Sequence, residues 1–319
     1  MKLDATAKGT FAIAPTPFHD DGRIDEDSLD HMADFYVEAG CTGVTLLGIM
    51  GEAPKLDAQE AMSVVRRVVG RIGSTIPVVV GVSAPGFAAM RTLAHAAMDA
   101  GAAGVMIAPQ PSLRTDDQIV NYFGQAIAAI GSDVPWVLQD YPLTLSVVMT
   151  PDVIRRIVEA NPSCVMLKHE DWPGLEKISK LRAFQAEKRL APLSILTGNG
   201  GLFLDFEMER GADGAMTGYA FPELLTDVVR LSAAGQRDAA HDIFDAHLPL
   251  IRYEQQLGIG LAVRKHVMAL RGIIASSAQR EPRTVLSAAA RQEIAYLLAR
   301  LARKDPRAER AATAAAAAR

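Results

Sequence analysis

Apolar residues fall along this chain in two alternating rhythms. Eight short runs, at 10–14, 43–48, 77–83, 104–109, 135–141, 164–169, 194–198 and 214–218, are apolar or small without polar alternation. Val78-Val79-Val80 and Gly104-Val105-Met106-Ile107-Ala108 are typical. Strands buried on both faces of a parallel sheet read this way. After each run comes a stretch with helical spacing: 27–39, 57–71, 85–100, 115–130, 150–160, 173–187, 201–210 and 222–234. In the first, Leu29, Met32, Phe35, Tyr36 and Ala39 share a face, and Gly40 follows as a stop. Asp57 with Glu60 has the spacing of a capping box, and Thr150-Pro151 pairs a cap with a first-turn proline.

Eight strand–helix units predict an α/β chain, a (β/α)8 TIM barrel over residues 1–234. The alternative is a doubly wound open sheet. Such sheets usually carry a glycine-rich phosphate turn after the first strand, and Ala14-Pro15-Thr16-Pro17 is not one. Beyond Gly235 the strand rhythm stops. Helical patterns at 236–256, 260–271 and 287–303 predict a small helical C-terminal domain over 235–305. Residues 306–319, mostly alanine and arginine toward the end, are expected to be a disordered tail.

Composition narrows the function classes. A net charge of −4 lacks the basic excess of a nucleic-acid binder, so no nucleic-acid partner is expected. No apolar run reaches the ~18 residues of a membrane span, and the N-terminus lacks a signal peptide's apolar core. A cytoplasmic protein with no membrane partner is expected. Cys41 and Cys164, the two cysteines, give neither a disulfide framework nor a zinc pattern, and no metal is expected.

A barrel does its chemistry at the C-terminal ends of its strands. There Lys168 directly follows the apolar Cys164-Val165-Met166-Leu167. It could reach solvent or pair with Glu170 or Asp171. Alternatively, lysine withdrawn from water is an amine nucleophile that forms a Schiff base with a carbonyl such as a 2-oxo acid. Glu170, two residues on, shares its strand face. It could move protons at the adjacent carbon, or simply pair with Lys168. His169 should face the helix layer. Gly48-Ile49-Met50-Gly51-Glu52 is a tight turn whose backbone N–H groups could hold a carboxylate.

Together these motifs resemble the dihydrodipicolinate synthase / N-acetylneuraminate lyase superfamily of class I aldolases. They are Gly48-x-x-Gly51-Glu52, Pro77-Val78-Val79-Val80-Gly81, Ala108-Pro109, Asp140-Tyr141-Pro142, Lys168 and Thr197-Gly198-Asn199, on successive strands. The resemblance covers residues 8–303. It implies Lys168 as the Schiff-base residue, backbone at Ile49, Met50 and Gly51 near the substrate carboxylate, and no organic cofactor or metal. It also implies a homo-oligomer, tetramer or dimer.

The departures are specific. The family's Thr-Thr turn is Ile49-Met50 here, its catalytic tyrosine is Gln139, and its arginine soon afterwards is missing from Leu143-Thr144-Leu145. Its Tyr-Tyr after the fourth strand is Gln110-Pro111. The C-terminal half is similar to a member of the same superfamily, L-2-keto-3-deoxyarabonate dehydratase. The similar pieces are Gln139-Asp140-x-Pro142, Lys168 with Glu170, Gly214-Ala215-Met216-Thr217-Gly218, Leu248-Pro249-Leu250-Ile251 and Gly272-Ile273-Ile274-Ala275-Ser276. This likeness implies Glu170 as acid/base group.

The expected function is therefore a Schiff-base lyase acting on a 2-oxo acid, a 2-keto-3-deoxy sugar acid dehydratase. The alternatives are a pyruvate-releasing aldolase and a non-catalytic sugar-acid-binding barrel. The expected catalytic residues are Lys168 and Glu170. Ile49, Met50, Gly51, Gln139, Tyr141, Gly198, Met216 and Thr217 are the expected substrate contacts.

Overall fold

Residues 1–172 and 174–317 are described by a computed structural model. Pro173, where the sixth helix was expected to begin, and the last two residues of the expected tail lie outside the described residues. The eight runs form strands β1 (Gly9–Ile13), β2 (Gly43–Leu46), β3 (Val78–Gly81), β4 (Gly104–Ile107), β5 (Trp136–Asp140), β6 (Cys164–His169), β7 (Ser194–Thr197) and β8 (Gly214–Thr217). They pair in sequence order, all parallel, and β8 closes on β1. The fold is a TIM barrel with C-terminal helices.

Strand alternation sorts the side chains into two layers. Phe11, Ile13, Val79, Met106, Val137, Met166, Leu196 and Met216 form an apolar plug inside the barrel. The other strand face packs against the surrounding helices. Those are α1 (Glu26–Glu38), α2 (Ala58–Ile72), α3 (Phe87–Asp99), α4 (Asp116–Ile130), α5 (Pro142–Leu145), α6 (Pro151–Ala160), α7 (Leu175–Ala186), α8 (Leu204–Glu209) and α9 (Pro222–Ala233). The predicted caps form: Asp57 and Glu60 close a capping box on α2, and Thr150 caps α6 ahead of Pro151. The short α5 has no counterpart in the sequence pattern, being too brief for a period to show.

The chain ends in α10 (Arg237–Glu254), α11 (Gly260–Arg271), α12 (Ala288–Ala302) and α13 (Glu309–Ala317). The disordered tail expected over 306–319 needs correction. Residues 306–308 make a 3-10 turn capped by Asp305, and α13 packs against α11 and α12 with Ala311 and Ala315 buried. Alanine has the best helix propensity of any residue, and small side chains allow close packing, which an Ala/Arg composition concealed. No helix among the described residues is long and apolar enough to cross a membrane.

A buried ion pair ties the C-terminal helices to the barrel mouth. Glu52, in the turn after β2, accepts from Lys265 Nζ of α11 at 2.6 Å, from Lys55 Nζ at 2.9 Å and from the Arg280 amide at 3.1 Å. Lys265 is fully buried, and burial pulls its pKa down to about 8 against the opposing pull of Glu52. Removing one partner of such a pair strands the other charge. Lys265→Met should therefore lower unfolding free energy by about 3–5 kcal/mol, read from the urea midpoint. A change within about 0.5 kcal/mol, as for an ordinary surface substitution, would refute the anchoring role.

Candidate active site

Lys168 and Glu170 meet at the C-terminal end of β6. Alternation turns Met166, Lys168 and Glu170 inward, above the apolar plug. Lys168 Nζ lies 2.9 Å from Glu170 Oε2, and both side chains are almost fully buried. Register places Gln139 of β5 beside Lys168, on the same face. Its amide donates to Glu170 Oε2 at 2.7 Å. The Glu170 amide in turn donates to Asp140 O at 2.8 Å, fixing the backbone just past the strand.

Glu170 fits because residue 198 is glycine. A Cβ at Gly198 would sit 2.2 Å from Glu170 Cγ and 2.4 Å from Oε1. Beside it, Asn199 Nδ2 donates to Glu170 O at 3.0 Å, and the Asn199 amide approaches Oε1 at 3.5 Å. Asn199 is not among the expected substrate contacts. Its place in Thr197-Gly198-Asn199, at a strand end, was the available signal.

The turn after β2 divides the roles expected of Ile49, Met50 and Gly51. Residues Ile49–Gly51 form one 3-10 turn, in which the Gly51 amide is spent on Gly48 O at 2.9 Å. Ile49 and Met50 open the turn, where N–H groups have no earlier carbonyl to bond. Met50 packs against the barrel's apolar plug, whereas Ile49 is 46% exposed at the rim. Thr16 after β1 pins the turn by donating to Gly51 O at 2.6 Å.

Two further expected contacts, Met216 and Thr217, adjoin on β8 and face opposite sides of the strand. Met216 is fully buried in the plug, where it forms floor. Thr217 Oγ1 accepts from the Gly200 amide at 2.8 Å and so holds the loop after β7. Tyr141 is at the mouth and half-buried, and burial raises its phenol pKa above the ordinary value. The Thr144 side chain and the Arg264 charge oppose that rise, and the Glu170 charge adds to it.

Behind the site runs an outward-facing polar row. Asp140, His169 and Thr197 are in register on the helix-layer side of the sheet. Asp140 Oδ2 pairs with Lys177 Nζ at 2.8 Å, and His169 Nε2 contacts Gly174 O at 3.2 Å. Glu207 of α8 is buried near this row, and desolvation lifts its pKa from 4.5 to about 7, opposed chiefly by the nearby Thr197 side chain. Sequence reasoning missed it, because a glutamate on a short helix resembles a surface residue.

Three comparisons bear on this geometry. The Dihydrodipicolinate synthetase family matches residues 6–301. The chain is 28% identical to the L-2-keto-3-deoxyarabonate dehydratase of Azospirillum brasilense, over 92% of this chain and 94% of that protein. It is 32% identical to a 4-hydroxy-tetrahydrodipicolinate synthase of Sorangium cellulosum, over 92% and 95%. It also superposes with a TM-score of 0.93 on a crystal structure of dihydrodipicolinate synthase from Rhodopseudomonas palustris. That chain is 70% identical, with 94% of this chain and 99% of the other covered.

The raised pKa of Glu207 has a stability consequence. Unfolded, this carboxyl titrates near ~4.3. Folded, it holds its proton to about pH 7. The folded state binds more protons across that window, so stability falls as pH rises through it. Glu207→Gln keeps a neutral side chain at every pH. Its thermal midpoint relative to wild type should rise progressively from pH 5 to pH 8. A difference that stays constant across those pH values would overturn the assignment.

Proposed function

Because the chain belongs to the Dihydrodipicolinate synthetase family, we propose that this lyase forms a Schiff base with a 2-keto-3-deoxy sugar acid and dehydrates it. The observation that carries the proposal is the buried 2.9 Å contact between Lys168 Nζ and Glu170 Oε2, with Gln139 where the family has a tyrosine. An amine attacks a carbonyl only when neutral, and Glu170 is in reach to take its proton. The amine adds to C2, Glu170 returns the proton to the resulting hydroxyl, water leaves, and a C=N bond joins substrate to Lys168.

That imine is an electron sink. Glu170 removes a proton from C3, and the C–H electrons move into the C2–C3 bond as the C=N pair shifts to nitrogen. The pair then returns, the C4–O bond breaks, and Glu170 gives the proton to the departing hydroxide. One water is lost from C3 and C4. A second water hydrolyses the new imine and frees Lys168. The Ile49 and Met50 amides are suited to the C1 carboxylate.

The Azospirillum relative is named as a dehydratase of this substrate type, and the likeness of Gln139, Lys168 and Glu170 supports bringing that chemistry here. The synthase reading lacks two parts. Gln139 has no hydroxyl to relay protons, and Leu143, Thr144 and Leu145 offer no arginine for a second substrate's carboxylate.

Borohydride with pyruvate should add mass to wild type and to Glu170→Gln, but not to Lys168→Ala. Turnover of a 2-keto-3-deoxy sugar acid by Glu170→Gln should fall by about 10²–10⁴-fold, the usual worth of a positioned acid/base. Equal trapping by Lys168→Ala removes the lysine from the mechanism. Trapping lost along with turnover in Glu170→Gln means the carboxylate only pairs with the lysine. In a coupled assay, condensation of pyruvate with aspartate semialdehyde should be weak. Efficient condensation would restore the synthase reading.

A further inference from the structure

Arg264, on α11, is 2% exposed and bonded on only part of its guanidinium. Nε donates to Glu254 Oε1 at 2.5 Å, and Nη2 donates to Gly218 O. Nη1, although buried, has no hydrogen-bond partner. An orphaned charged donor is costly, and arginine is otherwise nearly always satisfied when buried. The position of this nitrogen is informative. A Cβ at Gly218 would lie 2.0 Å from Nη1 and 3.1 Å from Ile13 O. Glycine there lets the guanidinium lie against the backbone at the top of β8.

Register connects that spot to the reacting groups. His169, Thr197 and Ala215 are partners across β6, β7 and β8. The next inward row is therefore Glu170, Gly198 and Met216, and Gly218 is one inward step nearer the mouth. The Arg264 charge is felt by the Tyr141 hydroxyl, which also feels Glu170. Glu254 holds the guanidinium from behind and also accepts from the Ala220 amide at 3.3 Å.

We infer that Arg264 Nη1 is the receptor for an oxygen on the far end of the substrate, remote from the C1 carboxylate. The site then selects 2-oxo acids with a hydroxyl or carboxylate tail over acids with a hydrocarbon tail. It supplies from the C-terminal helices the cation missing after β5. This inference deepens the reading of the site given above and rests on it for the placement of C1 and C2.

The test measures binding directly, by calorimetry, so that it does not depend on imine trapping. The hydroxyl-tailed probe is 2-keto-3-deoxygluconate, set against 2-oxohexanoate. The carboxylate-tailed probe is 2-oxoglutarate, set against 2-oxopentanoate. Wild type should prefer the oxygen-tailed member of at least one pair, and Arg264→Lys should cut that preference about 10- to 100-fold, the worth of one charge-assisted hydrogen bond. The responding pair identifies hydroxyl or carboxylate. Should Arg264→Lys not fold, the Glu254→Gln/Arg264→Gln double variant, which buries no charge, replaces it. No preference in wild type for either oxygen-tailed acid overturns the inference, and so does an unchanged preference in the variant. Failure of the Schiff-base reading registers separately, as absent borohydride adducts at Lys168.

Discussion

A lysine and a glutamate lie paired and almost fully buried above the barrel's apolar plug, and much of the surrounding sequence serves to make that tolerable. Ionised groups removed from water are costly unless paired and hydrogen-bonded. Lys168 and Glu170 pair with each other, Gln139 gives the carboxylate a second partner, and Asn199 fixes its backbone. The space comes from Gly198, where any side chain would displace Glu170. Each strand or its end contributes a part: β5 the amide, β6 the two charged residues, β7 the vacancy. Parallel register turns these contributions into a single site, because residues level across neighbouring strands face the same way.

The barrel mouth is also where the C-terminal helices are anchored. Glu52 and Lys265 form one buried pair, and Glu254 and Arg264 form another. Both involve α11, through adjacent residues that reach different strands. Lys265 fastens the turn after β2, while Arg264 lies over the end of β8. Such pairs add little net stability over well-packed apolar groups, but they fix orientation strongly because neither partner tolerates losing the other. The helices are therefore held in a fixed place over the barrel mouth.

The sequence made the barrel legible for a physical reason. Strands buried on both faces must be apolar throughout, and the stretches between them must be amphipathic, so the two rhythms separate cleanly. Lys168 and Glu170 were legible because a charge closing an apolar run is conspicuous, and spacing of two sets a common face. The contacts made from the C-terminal helices were not legible. Arg264 sits more than ninety positions from Lys168 in the sequence, and helical periodicity says nothing about what a helix end touches. Strand alternation turns Thr217 toward the helix layer, and its hydroxyl holds the loop after β7. The C-terminal alanines misled because composition alone does not distinguish a frayed tail from a helix packed through small side chains.

Replacing a tyrosine by Gln139 changes which group can carry a proton. An amide donates a hydrogen bond but does not ionise, so Gln139 can orient Glu170 and cannot relay for it. Tyr141 is the nearby phenol, and its pKa is raised from an ordinary value of 10, chiefly by burial. A phenol that holds its proton so firmly is present at neutral pH as a donor, not as a base. It suits a substrate hydroxyl needing a hydrogen bond, but not abstraction from carbon. On the proposed chemistry, both removal of the C3 proton and its delivery to the leaving oxygen then fall to one carboxylate. That requirement is compatible with a single fixed position only if the two atoms concerned are neighbours, as C3 and the oxygen on C4 are. A reaction joining two separate substrates would need a proton carried farther, and neither Gln139 nor Gly198, which flank Glu170, can carry one.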